Sequence, residues 1–207
     1  MINRYYIVDD FYSDPDELVR VALSSAKDAG SRGNFAGIMT DSAFLSIHQR
    51  DLFQKLLLEP SIDSATKLNG KVRFTKKDDP YTQDIHFDGG MDTKWSGVVY
   101  LSKHHPTVDG TAFWKHKRTG LEEIPRTREA LEEAGLNSRE SIKNLLQTEG
   151  VDETYWEKTL AVPYKYNRLV LFRPWLFHSP GEAWGETLET SRMVQTIFLG
   201  NAPSQQT

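Results

Sequence analysis

The sequence predicts a mostly β fold of the α+β class, with helices flanking a sandwich or barrel of short strands. Three observations predict it. A chain of 207 residues is long enough for one well-buried core and short for two. From residue 70 onward, short segments rich in aromatic and β-branched residues recur, divided by Gly, Pro and Asp-Gly turns. Apolar residues at helical spacing fall in the N-terminal region and in 119–160. One domain is therefore expected over 1–207. It comprises an N-terminal strand and supporting helices (1–69), a strand core (70–118 and 161–200) and a helical insertion (119–160).

Each element has a local reason. "RYYIVDDFY" reads as a short strand ending in a turn. In "SDPDELVRVALSSAKDAG", Asp14 is placed to cap a helix, with Pro15 at its first position and Glu17 at its third. Leu18, Val21 and Ala22 form its apolar face, and Gly30 is the expected stop. "SAFLSIHQRDLFQKLLLEP" holds a second helix with Leu52, Phe53, Leu56 and Leu57 on one stripe, ended by Pro60. Strands follow at "KVRFTKK", "TQDIHFD", "WSGVVYLS", "GTAFWKHK", "NRLVLFRPWLFHS" and "SRMVQTIFLG". The insertion contains "NSRESIKNLLQTEG". There Asn137 is the expected cap, Ile142, Leu145 and Leu146 the stripe, and Gly150 the stop. The C-terminal "NAPSQQT" is a polar tail.

Composition narrows the function. A formal net charge of −4 lacks the basic excess of a general nucleic-acid binder. There is no cysteine, which removes disulfides, thiolate metal sites and thiol nucleophiles together. Any metal must then be held by histidine and carboxylate. "MINRYYIVDDFYSD" has no apolar run after a basic start, so no secretory signal is expected. No apolar stretch has the length of a membrane span. The expectation is a cytoplasmic protein without nucleic-acid or membrane partners, of undetermined oligomeric state.

The segment "IHFDGG" at 85–90 carries the chemistry. Residues two apart on a strand point the same way, so His86 and Asp88 can aim at one point while Phe87 packs on the other side. Gly89 and Gly90 keep that point uncrowded. Such a pair also occurs as an ordinary surface pair. A second histidine, His178, follows the apolar run "LVLFRPWLF", where the ordinary alternative is a core histidine bonded to the backbone. Two histidines and one carboxylate on a β scaffold match the facial triad of non-heme iron(II) oxygenases, which leaves coordination positions open. His48 in a helix, His104 and His105 in a turn, and His116 in a basic run are poorer ligands. Arg192 opens the strand "RMVQTIFL" on one face with Val194, Thr196 and Phe198. An arginine on an inward face needs an anion, and a guanidinium suits a carboxylate. Tyr100, in "WSGVVYLS", offers a phenol from another strand.

These pieces resemble the iron(II)/2-oxoglutarate-dependent dioxygenase superfamily, in particular its prolyl-4-hydroxylase-like branch. The matching stretches are "HFD", "VVYLS", "GTAFW", "RLVLFRPWLFHSPG" and "SRMVQTIFL", with "YYIVDDFYSDPDELV" at the start. They cover roughly 5–25 and 70–200. The resemblance implies a double-stranded β-helix, a cupin-like jelly roll with helices on one side. It implies His86, Asp88 and His178 as metal ligands and catalytic residues for Fe(II). It also implies Arg192 as the partner of the distal carboxylate of 2-oxoglutarate, with Tyr100 in support. Dioxygen (O2) is the other cosubstrate, and succinate and carbon dioxide are coproducts. The carboxylate at Asp88 favours hydroxylation, or another oxidation, over the halogenation of relatives that lack it. The stretch "EAWGETLET" before Arg192 is longer than in compact members.

The substrate expected is a small molecule, amino acid or peptide. Trp95, His116, Arg173 and Trp175 lie near the motif strands in sequence and are candidate pocket residues. The insertion 119–160 is expected to be a lid, the alternative being a cover for the sheet. Three rival readings stand beside it: an iron oxygenase that does not use 2-oxoglutarate, a jelly-roll binding module with a structural metal ion, and a metal hydrolase, which the lack of an obvious second acid beside the site disfavours.

Overall fold

The computed structural model describes residues 3–26, 36–79, 85–89 and 92–201. In chain order these form β1 (Tyr5–Val8), α1 (Pro15–Ser25), β2 (Ile38–Met39), α2 (Ile47–Leu57), β3 (Ile62–Ser64), β4 (Val72–Thr75), β5 (Thr93–Tyr100) and β6 (Asp109–His116). There follow α3 (Arg128–Glu133), α4 (Arg139–Glu149), a 3-10 turn at Glu153–Tyr155, β7 (Trp156–Pro163), β8 (Leu169–Phe172), β9 (His178–Pro180) and β10 (Arg192–Asn201). The fold is mostly β with four α-helices among the described residues, and its sheets are antiparallel.

The larger sheet runs β1-β8-β5-β10-β4-β2, with β3 paired to the far end of β10. The smaller runs β7-β6-β9, and His86 is joined to β9 by a bridge to His178. Side-chain alternation sorts the apolar residues into three cores. Between the sheets lie Tyr100, Phe113, Val162, Val170, Phe172 and Val194. On the other face of the large sheet, Val72, Phe74, Trp95, Val99 and Ile197 pack against Ala22 of α1 and Phe53 of α2. On the outer face of the small sheet, Trp114, Trp156 and Phe177 pack against Ile142, Leu145 and Leu146 of α4.

Local details depart from the sequence expectation. In α1 the cap is Asp14, whose side chain accepts from the Glu17 N–H at 3.1 Å. Its packed face is Leu18, Val19, Ala22 and Leu23, and Val21 is not part of that core. The helix closes at Ala26, whose N–H bonds Leu23 O; the expected stop, Gly30, lies outside the described residues. The second helix has a capping box between Ser46 and Gln49, a pattern not read from the sequence. It ends at Leu58, which takes a left-handed φ of 54° before Pro60 is reached. The cap of α4 is Ser138, one residue after the expected Asn137, and Gly150 does close it.

Three larger differences matter more. The segment "TQDIHFD" is not a full strand: its first three residues and Gly90 lie outside the described residues, and 85–88 holds one bridge, at His86. The apolar run before His178 is two strands, β8 and β9, separated by a turn over 173–177. The insertion 119–160 is helical only in part, since β7 begins at Trp156. Its helices buttress the outer face of the small sheet. No described residue of 119–160 lines the cavity of the site below. The polar tail beyond Asn201 lies outside the described residues.

Candidate metal centre

Two extended segments bring the ligands together. His86 donates its N–H to His178 O at 2.9 Å, and His178 returns one to His86 O at 2.9 Å. This reciprocal pair sets the two histidines side by side, with ring centroids 4.3 Å apart. Further along, the Asp88 N–H bonds Pro174 O at 2.8 Å, which holds the carboxylate two residues on and on the same side. Phe87, between them, points away and packs beside the α4 core. At Gly89 a Cβ would meet the Phe87 ring at 2.5 Å, so glycine there lets the aromatic ring keep its place.

The side chains converge. His178 Nε2 lies 3.3 Å from Asp88 Oδ2, and His86 Nε2 lies 3.7 Å from Asp88 Oδ1. One ligand atom from each residue lies within 4.8 Å of the others. The second nitrogen of His178, Nδ1, is 2.9 Å from Leu176 O. A carbonyl can only accept, so Nδ1 carries a proton, and Nε2 is the nitrogen turned to the centre, able to offer its lone pair to an ion once any proton on it is lost. Burial pushes the Asp88 carboxyl up, but the charges of His178 and His86 outweigh it and hold the carboxyl below its ordinary range. Asp88 is thus an anion, the form that binds a cation. Two imidazoles and one carboxylate, without thiolates, suit a divalent ion such as iron(II) and cover only part of its coordination sphere.

The same three residues line a cavity of about 110 Å³ bounded by both sheets. Arg192 enters it from β10 together with Val194, Thr196 and Phe198, the face expected from alternation. Arg192 is 3% exposed. Its Nη2 donates to Gly110 O at 3.0 Å, while its buried Nε has no hydrogen-bond partner. No carboxylate among the described residues forms an ion pair with it. A buried guanidinium held by one carbonyl is costly unless an anion completes its shell, so the cavity fits a carboxylate-bearing ligand.

Tyr100 reaches this region indirectly. It is fully buried, stacks on Tyr164 with centroids 4.4 Å apart, and donates its hydroxyl to Thr111 Oγ1 at 2.8 Å. Burial pushes its phenol up, so the hydroxyl stays protonated. The residue that lines the cavity is Thr111.

The structure does not bring the four expected substrate residues to the cavity. Trp95 lies on the opposite face of β5, in the core under the helices. Its ring carries the Arg173 guanidinium at 3.6 Å; Arg173 also donates to the carbonyls of Asn3 and Lys94. Trp175 faces an outer groove, stacked under Arg126 at 4.3 Å. His116 is buried elsewhere, with Nε2 2.7 Å from Glu149 Oε2 and Nδ1 2.9 Å from Thr119 Oγ1. These residues are near the motifs along the chain, but alternation on β5 turns Trp95 away, and Arg173 and Trp175 lie in the turn between β8 and β9. His48, His104 and His105 do not join the cluster either. Sequence reasoning missed Thr111 and Arg73, both of which line the cavity. The signal for Arg73 was available: it alternates with Val72 and Phe74, as Arg192 does with Met193.

Comparison with known proteins adds the following. No curated protein matches the chain. Among solved structures, one similar fold is the non-heme alpha ketoglutarate dependent epimerase SnoN from nogalamycin biosynthesis. It is 12% identical, with a TM-score of 0.48 over 97% of this chain and 79% of that one. EctD from S. alaskensis in its apoform gives 16% identity and 0.48, covering 97% of this chain and 73% of that one. The same protein with bound Fe gives 17% and 0.45 over the same shares. Identities this low do not transfer an activity. The profile described as "Family of unknown function (DUF6445)" matches residues 2–193, and the chain belongs to that family.

Proposed function

We propose that this protein is a non-heme iron(II)- and 2-oxoglutarate-dependent oxygenase of the prolyl-4-hydroxylase-like branch. It hydroxylates an unactivated C–H bond of a small molecule, amino acid or peptide. The observation that carries the reading is that the triad and a buried arginine with no carboxylate partner among the described residues line one cavity. The strand orders agree with a double-stranded β-helix: β4-β10-β5-β8 on one side, His86-β9-β6-β7 on the other, with a shared core between.

In this reading His86, Asp88 and His178 hold Fe(II), and Arg192 receives the distal carboxylate of 2-oxoglutarate. Iron, 2-oxoglutarate and O2 together supply the oxidation, with succinate and carbon dioxide released. The chain's own part is positional. Leu176 O fixes the His178 tautomer, and the His86–His178 main-chain pair fixes the ligand spacing. Gly110 O aims the Arg192 guanidinium, and Tyr100 holds Thr111 against the cavity. The apolar wall of Val98, Phe172 and Val194 keeps bulk water from the charged groups.

The test is anaerobic. Iron(II) and 2-oxoglutarate are added to wild type, His86→Ala and Arg192→Ala, and the weak visible band of the chelate is recorded. Wild type gives the band, His86→Ala loses it, and Arg192→Ala needs far more 2-oxoglutarate. Three identical traces would remove the assignment.

A further inference from the structure

The cavity of the metal centre measures about 110 Å³, below the roughly 300–1,000 Å³ of sites that enclose a whole ligand. Iron and cosubstrate fill it in the reading above, so the body of a substrate has to rest elsewhere. A groove of about 440 Å³ lies behind the 85–89 segment. Phe87 and Gly89 face it, on the opposite side of the segment from His86 and Asp88. A second wall is Trp175 with Pro174, whose carbonyl holds the Asp88 N–H. Ile124 and Ile142, from the 119–160 insertion, make the third. The floor is therefore apolar and its rim is cationic. Exposed Arg126 lies over the Trp175 ring at 4.3 Å, a placement that leaves the N–H edges of the guanidinium for an anion. Arg173 approaches the same ring at 5.6 Å. Glu59, whose charge opposes them at Arg173, is itself paired with Lys94 at 3.0 Å. Lys143 lines the groove too, paired with Glu140 at 3.3 Å. No carboxylate is among the described lining residues, so the groove is complementary to an anion with an apolar body. The way to the metal is short. The segment is held to β9 by one bridge, and no described strand pairs with its other edge. A molecule lying over that edge passes from groove to metal in about 10 Å, the thickness of one packed layer.

We propose that the substrate is an elongated apolar acid, with its carboxylate at Arg126, its body on Phe87, Ile124, Ile142 and Trp175, and its far end over the segment edge at the metal. This rests on the oxygenase reading, which places the reacting centre in the small cavity. A guanidinium selects a planar two-oxygen anion over the neutral amide of the same shape. Arg126 is thereby a specificity-determining residue, and the C–H bond presented to the metal is remote from the acid group.

The experiment has two arms. In the first, wild type, Arg126→Gln and Arg128→Gln are titrated by calorimetry with octanoate and octanamide at constant ionic strength, without metal or cosubstrate. Arg128 is an exposed arginine outside the groove, paired with Glu132, and controls for charge alone. Wild type and Arg128→Gln are expected to bind the acid about threefold to tenfold tighter than the amide. Arg126→Gln brings that ratio close to one. In the second arm, wild type is loaded anaerobically with iron(II) and 2-oxoglutarate, and butanoate, hexanoate, octanoate and decanoate are added in turn. The longer acids are expected to perturb the chelate band and butanoate to leave it unchanged. No preference in wild type, with absence of binding counted as none, overturns the proposal. So does a preference that survives in Arg126→Gln or is lost equally in Arg128→Gln. A band indifferent to every chain length overturns it as well, because the bound acid then does not reach the metal. A wild type that gives no band sinks the oxygenase reading by itself, while the acid-over-amide ratio of the first arm still judges the groove.

Discussion

His178 Nε2 stands 3.3 Å from Asp88 Oδ2, and the opposite nitrogen of the same ring is tied to Leu176 O at 2.9 Å. The imidazole is therefore oriented from behind before any ion arrives. Adding iron(II), or cobalt(II) as a stable substitute, is expected to raise the thermal midpoint without any large change in the far-ultraviolet spectrum. At a hundredfold excess over the dissociation constant the stabilisation is about 2.7 kcal/mol, a shift of roughly 5–10 °C for a chain of this size. His178→Ala and Asp88→Ala should show no such shift. An equal shift in either variant would place the ion elsewhere.

Arg192 predicts a divergence between stability and binding. Its charge is buried with one carbonyl partner and an unbonded Nε. Replacing it with an apolar side chain of similar length, Arg192→Met, removes that burden. The unloaded protein should gain about 1–3 kcal/mol, measured by urea unfolding, while its response to 2-oxoglutarate disappears. A variant that is both less stable and fully responsive would contradict the assigned role.

Gly110 links the arginine to the tyrosine. Its carbonyl accepts from Arg192, and a Cβ at this position would lie 2.4 Å from Tyr100 Cζ and 2.5 Å from its hydroxyl oxygen. Gly110→Ala should push Tyr100 off Thr111, cost about 1–3 kcal/mol of stability and weaken 2-oxoglutarate binding. Tyr100→Phe, which loses one hydrogen bond, should cost only about 1 kcal/mol. Calorimetric titration of both variants checks the order.

A pH effect follows from the pair under α4. Burial pushes the Glu149 carboxyl up, but hydrogen bonds from His116 and Arg118 outweigh it and hold the group below its ordinary range. A depressed folded value means that this stabilisation is complete above the unfolded value near 4.3. It is lost as pH falls through the lower folded value. Glu149→Gln should lose about 1–3 kcal/mol at pH 7. Its deficit relative to wild type should shrink as pH is lowered below about 4. A deficit constant with pH would mean that packing, not charge, is what Glu149 supplies.

The parts of this molecule that could be read in advance are those governed by alternation. "HFD" places two ligands on one side and Phe87 on the other, and "RMVQTIFL" places Arg192, Val194, Thr196 and Phe198 on the cavity face. The same rule, left unapplied to "VRF", would have found Arg73. Proximity along the chain misled: alternation on β5 turns Trp95 away from the site, and Trp175 sits in the turn after β8 and faces an outer groove. The strand at Trp156–Pro163 was hidden because its exposed charged residues carry no strong apolar pattern. The position of the α4 layer depends on which face of the small sheet remained uncovered. That is a property of assembled sheets, not of any local stretch.

The reciprocal main-chain bonds between His86 and His178 have a consequence for metal choice. Because the backbone sets the ligand spacing, an ion held there would meet ligands already side by side and would not be selected by the chain folding around it. Zinc, nickel and copper are intrinsically tighter guests than ferrous iron for nitrogen and oxygen donors. On the iron reading the chain would have little means of refusing them, and loading would be decided by which ions its surroundings make available.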